Sequence, residues 1–164
     1  NEIADQLAKK AARDNGLEVT YNKIQKSEII RWLKCSSLEK WEQEWQQTTK
    51  GETTKSYFPN ISDRTKSKIK LTSNLTAFLT GHGKTNAYYH RFKITDNPMC
   101  KCNQNQQTVD HLIFECKMLH KEREKMKTAL TKAGGRWSLD KRDLIRKHTK
   151  SFSLFVNSIN FDNL

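Results

Sequence analysis

Three cysteines and one histidine lie within seventeen residues in the second half of the chain. Cys100 and Cys102 flank a single lysine, eight residues separate Cys102 from His111, and four residues separate His111 from Cys116. Thiolate sulfur and imidazole nitrogen are ligands that zinc prefers, and four of them complete a tetrahedral structural site. The spacing therefore predicts that this part of the polypeptide folds around one zinc ion.

The residues between these ligands indicate how such a site is built. A polar loop from Asn103 onward precedes Thr108, which can cap a helix that presents His111. Four protein ligands leave no open position for water, so hydrolytic chemistry at this metal is not expected. The alternative interpretation is that Cys116 is only a buried residue beside Ile113 and that His111 merely caps a helix.

The remaining cysteine and a second histidine have other predicted roles. Cys35 lies among Trp32 and Leu33 and is predicted to be a small core residue. His120, four residues after Cys116, is the substitute ligand if one of the four fails. Four cysteines, three of them in one motif, argue against a disulfide framework.

With no signal peptide or membrane-length apolar run in the sequence, we expect an intracellular protein of the cytoplasm and nucleus with no membrane partner.

Positive charge is concentrated beyond residue 60. The 164-residue chain has a formal net charge of +12, and residues 61–164 carry 20 Lys/Arg against nine Asp/Glu. Such an excess attracts RNA or DNA through counterion release, although a lysine-rich solvated surface is the alternative. Apolar residues make up only 35% of the chain. A structural zinc, contributing roughly 10 kcal/mol or more at neutral pH, would compensate for a thin core.

The candidate nucleic-acid contacts are the basic residues around the four ligands and just before them. They are Lys84, Arg91, Lys93, Lys101, Lys117, Lys121, Arg123, Lys125 and Lys127. Tyr88, Tyr89 or Phe92 could stack on unpaired bases, although a helix core is the alternative for these aromatics.

Apolar periodicity predicts a mainly α-helical chain with little strand alternation. The predicted helices cover residues 1–14, a tryptophan-rich segment from Ser27 past Trp45, residues 69–79, residues 86–92 and residues 117–132. The tryptophan-rich helix has a weak point at residues 36–37 and is predicted to pack as an intramolecular core helix. Residues 57–59 predict an extended apolar anchor, and the stripe Phe152, Phe155, Val156 and Ile159 predicts a packed helix in the tail.

Three segments in this order resemble the carboxy-terminal region of non-LTR retrotransposon polyproteins that encode a reverse transcriptase followed by a type 1 RNase H domain. Residues 1–9, NEIADQLAK, resemble a helix near the end of RNase H. Residues 79–83, LTGHG, with 89–92, YHRF, resemble the segment before the cysteines in those elements. The spacing C-x-C…H-x4-C matches their zinc-binding pattern, whose closing half is that of a nucleic-acid-binding zinc knuckle.

The resemblance implies a three-part organisation and a polyprotein fragment. Residues 1–16 would be the C-terminal helix of an α/β RNase H domain, residues 17–60 a helical linker with tryptophans, and residues 61–164 a zinc-stabilised helical CCHC module. Asp5 would be the last active-site carboxylate that holds Mg²⁺ in an intact RNase H domain. This chain lacks the upstream carboxylates, so we expect it not to be an enzyme by itself.

The resemblance also implies a function. We expect the module to grip element RNA or target DNA for the upstream catalytic domains of the same polyprotein. Two alternatives stay open: an RNase H remnant that is inactive as this fragment, and a protein-interaction scaffold within the polyprotein that uses Trp32, Trp41 and Trp45.

Overall fold

The structure is a computed structural model that describes residues 2–14, 16, 23–137 and 140–164. The chain divides into two compact units, Asn1–Ser37 and Leu38–Leu164. The first described helices are α1, Glu2–Arg13, and α2, Lys26–Gln47, which crosses the division between the units. None of the described helices is long and apolar enough to cross a membrane.

The second unit continues as a series of short helices. They are α3 (Glu52–Tyr57), α4 (Ile61–Lys66), α5 (Ser73–Thr80), α6 (Asn86–Arg91), α7 (His120–Lys132), α8 (Lys141–Arg146) and α9 (Thr149–Ser158). A π-helical turn, His111–Glu115, and a 3₁₀ turn, Lys117–Leu119, precede α7, and a 3₁₀ turn, Phe161–Asn163, follows α9. Among the described residues, the extended pairing is one antiparallel bridge between Met99 and Gln106. The mainly α prediction is confirmed.

The core of the second unit forms where α5, α7 and α9 bury their apolar faces together with α3 and α8. Phe152 on α9 is fully buried, with its ring centroid 5.9 Å from Tyr57 and 6.5 Å from Phe78. Aromatic pairs at these distances add roughly 0.5–1.5 kcal/mol beyond the burial of their area. The predicted tail stripe of Phe152, Phe155, Val156 and Ile159 is buried throughout.

Three features of the helices differ from the sequence prediction. The helix predicted from residue 69 begins only at Ser73, because the Thr72 side chain accepts a hydrogen bond from the Leu75 amide and caps it there. Residues 36–37 do not interrupt α2, which is continuous. The segment predicted as a helix from residue 117 begins with the 3₁₀ turn, in which Met118 is exposed.

Three short helices, α3, α4 and α8, were not predicted. The sequence around Gly51 is polar and indicates a loop, yet α3 begins directly after this glycine. Gly51 adopts the left-handed conformation, with φ of 76°, and so lets the chain turn before the helix begins. Tyr57, expected in an extended anchor, is the last residue of α3, and α4 begins four residues later. Six-residue helices are too short to show a helical period, so only their packing reveals them.

The structure contradicts the prediction of a buried tryptophan helix. No residue of α2 is buried, and Trp32 and Trp41 are about half exposed. Trp45 is partly buried, and its indole N–H donates to the Phe58 carbonyl at 3.1 Å. Cys35, predicted to be a core residue, is exposed. The division of the sequence into residues 1–16, 17–60 and 61–164 stays a prediction.

Candidate metal centre and the basic surface around it

The structure brings Cys100, Cys102, His111 and Cys116 together. One ligand atom from each lies within 4.8 Å of the other three. The Cys100 and Cys116 sulfurs are 3.7 Å apart, and the Cys102 sulfur lies 3.2 Å from His111 Nε2. A tetrahedral zinc site with Zn–S bonds of about 2.3 Å has sulfur–sulfur edges of about 3.8 Å. The group could therefore hold a metal ion without a large rearrangement.

A tight turn places the first two cysteines. The Cys100 amide donates to the Asn105 carbonyl at 3.0 Å, and the Asn103 amide donates back to the Cys100 carbonyl at 2.8 Å. Asn103 adopts the left-handed conformation, with φ of 58°, which asparagine tolerates better than most residues. The Gln107 amide, bonded to the Pro98 carbonyl at 2.8 Å, closes the turn. A short turn between ligands keeps the entropy of loop closure small.

A π-helical turn places the other two ligands. Thr108 Oγ1 accepts a hydrogen bond from the His111 amide at 3.1 Å, so the cap predicted at this threonine is present. The Cys116 amide donates to the His111 carbonyl, five residues earlier, at 2.8 Å. On a regular α-helix, positions five apart are separated by about 140°, and the wider π turn reduces that angle. This turn lets both side chains approach the same point.

The buried side chain of Arg123 stabilises the π turn through hydrogen bonds to its backbone. Arg123 Nε donates to the Ile113 carbonyl at 2.7 Å, while one terminal nitrogen donates to the carbonyls of Cys116 at 2.7 Å and Leu112 at 3.3 Å. These carbonyls belong to a turn that cannot satisfy all of its acceptors internally. Burial lowers the pKa of the Arg123 guanidinium, and nearby acidic groups oppose that shift.

A carboxylate lies next to the imidazole. Glu115 Oε2 is 3.4 Å from His111 Nδ1 and accepts a hydrogen bond from Asn105 Nδ2 at 3.0 Å. A carboxylate at one ring nitrogen of a metal-binding histidine favours the tautomer whose other nitrogen is free to bind. In this arrangement the free nitrogen is Nε2, the atom that faces Cys102.

Two of the thiols have unusual acidities in the metal-free chain. Burial raises the pKa of Cys100 to about 12, and hydrogen bonds with Cys102 and Cys116 also affect it. Burial also opposes ionisation of Cys102, but hydrogen bonds from the Gln104 backbone, Cys100 and His111 outweigh it and lower the pKa of Cys102 to about 7. The lowered pKa of Cys102 favours its thiolate, the form that binds a metal cation.

Neither the substitute ligand His120 nor the remaining cysteine, Cys35, joins this group. Cys35 and His120 are both exposed. Within the part of the chain that the structure describes, the four residues form the one group of three or more Cys, His, Asp or Glu side chains that could hold a metal ion.

Most of the predicted basic contacts lie on the surface. The exposed ones are Arg91, Lys93, Lys101, Lys117, Lys121 and Lys125. Lys84 and Lys127 are partly buried: Lys84 Nζ bonds to Asn74 Oδ1 and lies 5.3 Å from the Phe161 ring centroid, whereas Lys127 pairs with Glu124 at 2.8 Å.

Arg123 does not lie on this surface. The sequence predicts a nucleic-acid contact for it, whereas its side chain is 5% exposed and its guanidinium is bonded to the backbone of the π turn. The sequence contained a signal for this burial, because Arg123 lies at helical spacing from Met126 and Leu130 on the inner face of α7. Neither Arg123 nor Glu115 was assigned to the metal centre from the sequence.

The predicted aromatic residues cluster on and beside α6. The Tyr88 ring centroid lies 4.7 Å from Phe92, 5.9 Å from Tyr89 and 5.5 Å from His82. The Arg91 guanidinium lies 5.0 Å from the Phe92 ring centroid. No residue of α6 is buried, and Phe92 is half exposed, so these rings are not a helix core.

The predicted catalytic residue Asp5 lies on α1, where it is exposed and pairs with Lys9 at 2.6 Å. Its role in an intact RNase H domain stays a prediction. Asn1, the first residue of the segment that resembles RNase H, lies outside the described residues.

Comparison with known proteins identifies relatives that share one name. The chain is 32% identical over 133 residues to the "Retrovirus-related Pol polyprotein from type-1 retrotransposable element R1" of Popillia japonica, covering 80% of this chain and 51% of that protein. The protein of the same name from Bradysia coprophila is 30% identical over 80 residues, which is 48% of this chain and 8% of that protein. No family model and no solved structure matches.

These similarities support the interpretation of the chain as a fragment of a non-LTR retrotransposon Pol polyprotein, the class that its sequence motifs resemble. Within that class it is similar to the Pol polyproteins of R1 elements. It spans about half the length of the first relative and less than a tenth of the second.

Proposed function

We propose that this chain is a nucleic-acid-binding zinc module that grips element RNA or target DNA for the catalytic domains of its polyprotein. The observation that carries the proposal is the convergence of Cys100, Cys102, His111 and Cys116 to within 4.8 Å. Three sulfurs and one imidazole nitrogen are a donor set typical of structural zinc. The similarity of the chain to retrotransposon Pol polyproteins supports a nucleic-acid partner.

The proposed metal would order the protein surface that binds nucleic acid. Lys101 lies between the first two ligands, and Lys117 directly follows the last one, so zinc would hold both lysines at defined positions. Lys121 and Lys125 follow on the exposed face of α7, four residues apart, where side chains share one side of the helix. Phosphate groups would bind along this line of ammonium groups.

The aromatic cluster supports single-stranded nucleic acid as the ligand. Phe92 offers a half-exposed ring, with the Arg91 guanidinium beside it. Exposed aromatic rings among cations are typical of sites where unpaired bases stack, each stacked base being worth roughly 1–3 kcal/mol.

Fluorescence anisotropy with labelled 20-nucleotide RNA, single-stranded DNA and duplex DNA tests this function. The zinc-loaded chain should bind with an affinity that falls steeply between 50 and 200 mM salt, because each phosphate contact releases counterions. Lys117→Gln/Lys121→Gln/Lys125→Gln should weaken binding and reduce the salt slope by roughly 0.7 per lysine on a single strand.

A matched control keeps the same loss of charge elsewhere. Lys34, Lys40 and Lys50 are exposed and form no ion pair with a described residue, so their triple glutamine variant should bind almost as the unchanged chain does. Affinity that does not change with salt, or equal losses in both triple variants, would remove the proposal.

We further propose that the chain does not cleave RNA–DNA hybrids by itself. Two-metal hydrolysis needs several carboxylates around both ions, whereas α1 presents Glu2 and Asp5 as exposed side chains. Incubation with a labelled hybrid and Mg²⁺ should leave the RNA intact. Cleavage that disappears in Asp5→Asn would establish the RNase H alternative instead.

A second candidate function is supported by α2. Ile29, Ile30, Trp32 and Leu33 are all more than 40% exposed on this helix. Exposed apolar clusters often mark interaction sites, so the helix could dock on another domain of the polyprotein. Pull-down with the upstream domains, using Trp32→Ala/Leu33→Ala as the comparison, tests this function. Equal recovery of both forms would exclude it.

A further inference from the structure

A basic cleft lies between α4 and α8, and it contains none of the proposed metal ligands or of the nucleic-acid contacts around them. We call it the α4/α8 cleft. Its volume is about 560 Å³. Four basic side chains line it: Lys66, Lys68, Arg142 and Arg146. The apolar side chains Phe58, Ile69 and Ile145 also line it.

The charge of the α4/α8 cleft is poorly balanced by the protein. Asp63 is the one acidic side chain among its lining residues, and it pairs with Arg142 at 3.3 Å. Lys66, Lys68 and Arg146 form no ion pair with any described residue. Clustered cations without counter-charges repel one another, and an anionic ligand in the cleft would remove that repulsion.

Arg142 has unused hydrogen-bonding capacity, and its side chain is partly exposed where it lines this cleft. Its Nε atom is buried and has no hydrogen-bond partner among the described residues. Buried donors are normally paired, so an unpaired one needs an explanation. The planar guanidinium suits phosphate, because two of its N–H groups can donate to two oxygens of the same group.

We propose that the α4/α8 cleft is a second nucleic-acid contact that takes phosphate groups of the backbone. The nucleic-acid class of the ligand rests on the proposed function, and the cleft itself rests on its own charge and shape. A concave cleft suits a strand better than it suits a flat membrane surface. The apolar lining residues would pack against sugar or base while the basic residues bind phosphate.

Paired variants with the same loss of charge test the proposal. Lys66 and Lys68 are exposed, so Lys66→Gln/Lys68→Gln should leave the fold intact, which circular dichroism checks. In fluorescence anisotropy with a 20-nucleotide single strand, this variant should bind about tenfold more weakly near 0.1 M salt, with a salt slope lower by about 1.4. The control Lys34→Gln/Lys40→Gln should change the affinity by less than about twofold.

The outcomes separate this proposal from the proposed function. If the unchanged chain binds the oligonucleotide and the two double variants behave alike, the cleft proposal fails while the proposed function stands. If the unchanged chain binds no oligonucleotide, the proposed function itself fails. Vesicles containing phosphatidylserine provide the last comparison. A loss of vesicle binding in Lys66→Gln/Lys68→Gln, without a loss of oligonucleotide binding, would assign the cleft to a membrane and overturn the proposal.

Discussion

Two regions of the molecule differ in how far their apolar side chains are buried: the ligand segment, which contains the four proposed metal ligands, and helix α2. In the ligand segment, Leu112, Ile113 and Cys116 have no exposed surface, and a guanidinium from α7 bonds to their backbone. In α2, a helix of 22 residues, Ile29 and Trp32 stay exposed and no residue is buried. Apolar residues therefore stabilise a fold only where other elements cover them.

Loss of a ligand should have the largest effect. Cys116→Ser removes one of four donors, and we expect metal binding to fall far below one ion per chain and thermal unfolding to lose its cooperativity, because structural zinc contributes on the order of 10 kcal/mol. Plasma mass spectrometry and differential scanning calorimetry measure both. Cys35→Ser, at the exposed cysteine of α2, is the control and should change neither quantity. Equal metal content in the two variants would refute the proposed site.

The next largest effect concerns the packed core of the same unit. Phe152→Ala should lower the free energy of unfolding by roughly 3–5 kcal/mol, because its fully buried ring packs between Tyr57 and Phe78. Trp32→Ala on α2 removes a larger side chain that is half exposed and should cost less than about 1 kcal/mol. Urea titration of both variants measures these losses. An equal loss of unfolding free energy in the two variants would contradict the difference between the buried core and the exposed helix.

The backbone support of the metal centre should rank third. Arg123→Met keeps the apolar stem of the side chain but removes the N–H groups that donate to the carbonyls of Leu112, Ile113 and Cys116. We expect a loss of about 3 kcal/mol in unfolding free energy, since each buried unsatisfied group costs roughly 1–3 kcal/mol. Lys125→Met on the exposed face of α7 should stay within about 0.5 kcal/mol. Similar losses would show that Arg123 has no special role.

The acidity of Cys102 provides a fourth prediction, for the chain in a Cys35→Ser background, stripped of metal under conditions where circular dichroism shows that its helices are retained. Because its pKa is lowered to about 7, the reactive thiolate should form between pH 6 and pH 8, and the alkylation rate should rise about tenfold over that range. Cys100, whose pKa is about 12, should stay unreactive there. Mass spectrometry of iodoacetamide-treated protein locates the label. A rate midpoint near pH 9 would contradict the assigned hydrogen bonds.

The smallest expected effect concerns the orientation of the imidazole. Glu115→Gln weakens the contact with His111 Nδ1 and should reduce metal affinity by about tenfold or less, at the low end for such partners because this carboxylate is exposed. Competition with a chromogenic chelator measures it. Glu122→Gln on α7 is the matched charge control. No difference between the two variants would mean that Glu115 does not orient the ring.

Local sequence signals predicted much of the fold and most of the candidate site. The helical patterns located α1, α2, α6 and α9, and the apolar stripe of the tail correctly identified side chains that are buried. The spacing of Cys100, Cys102, His111 and Cys116 was informative because ligands close in sequence need only a short turn to meet. Thr108 was also identified correctly as the cap.

Other features depended on contacts between distant residues. Six-residue α3 and α4 show no period of their own, so their packing against other elements reveals them. The tryptophan pattern of α2 indicates a core helix, but nothing described buries it.

The sequence by itself determined the mainly helical class, the positive charge beyond residue 60 and the local order of the four ligands, because each depends on neighbours along the chain. Only the tertiary structure decided that Arg123 donates to the carbonyls of the π turn, and that Glu115 faces the ring of His111. It also brought Lys66 and Arg142 to one cleft. The physical reason is that burial and pairing depend on which distant elements pack together, and local patterns do not specify those partners.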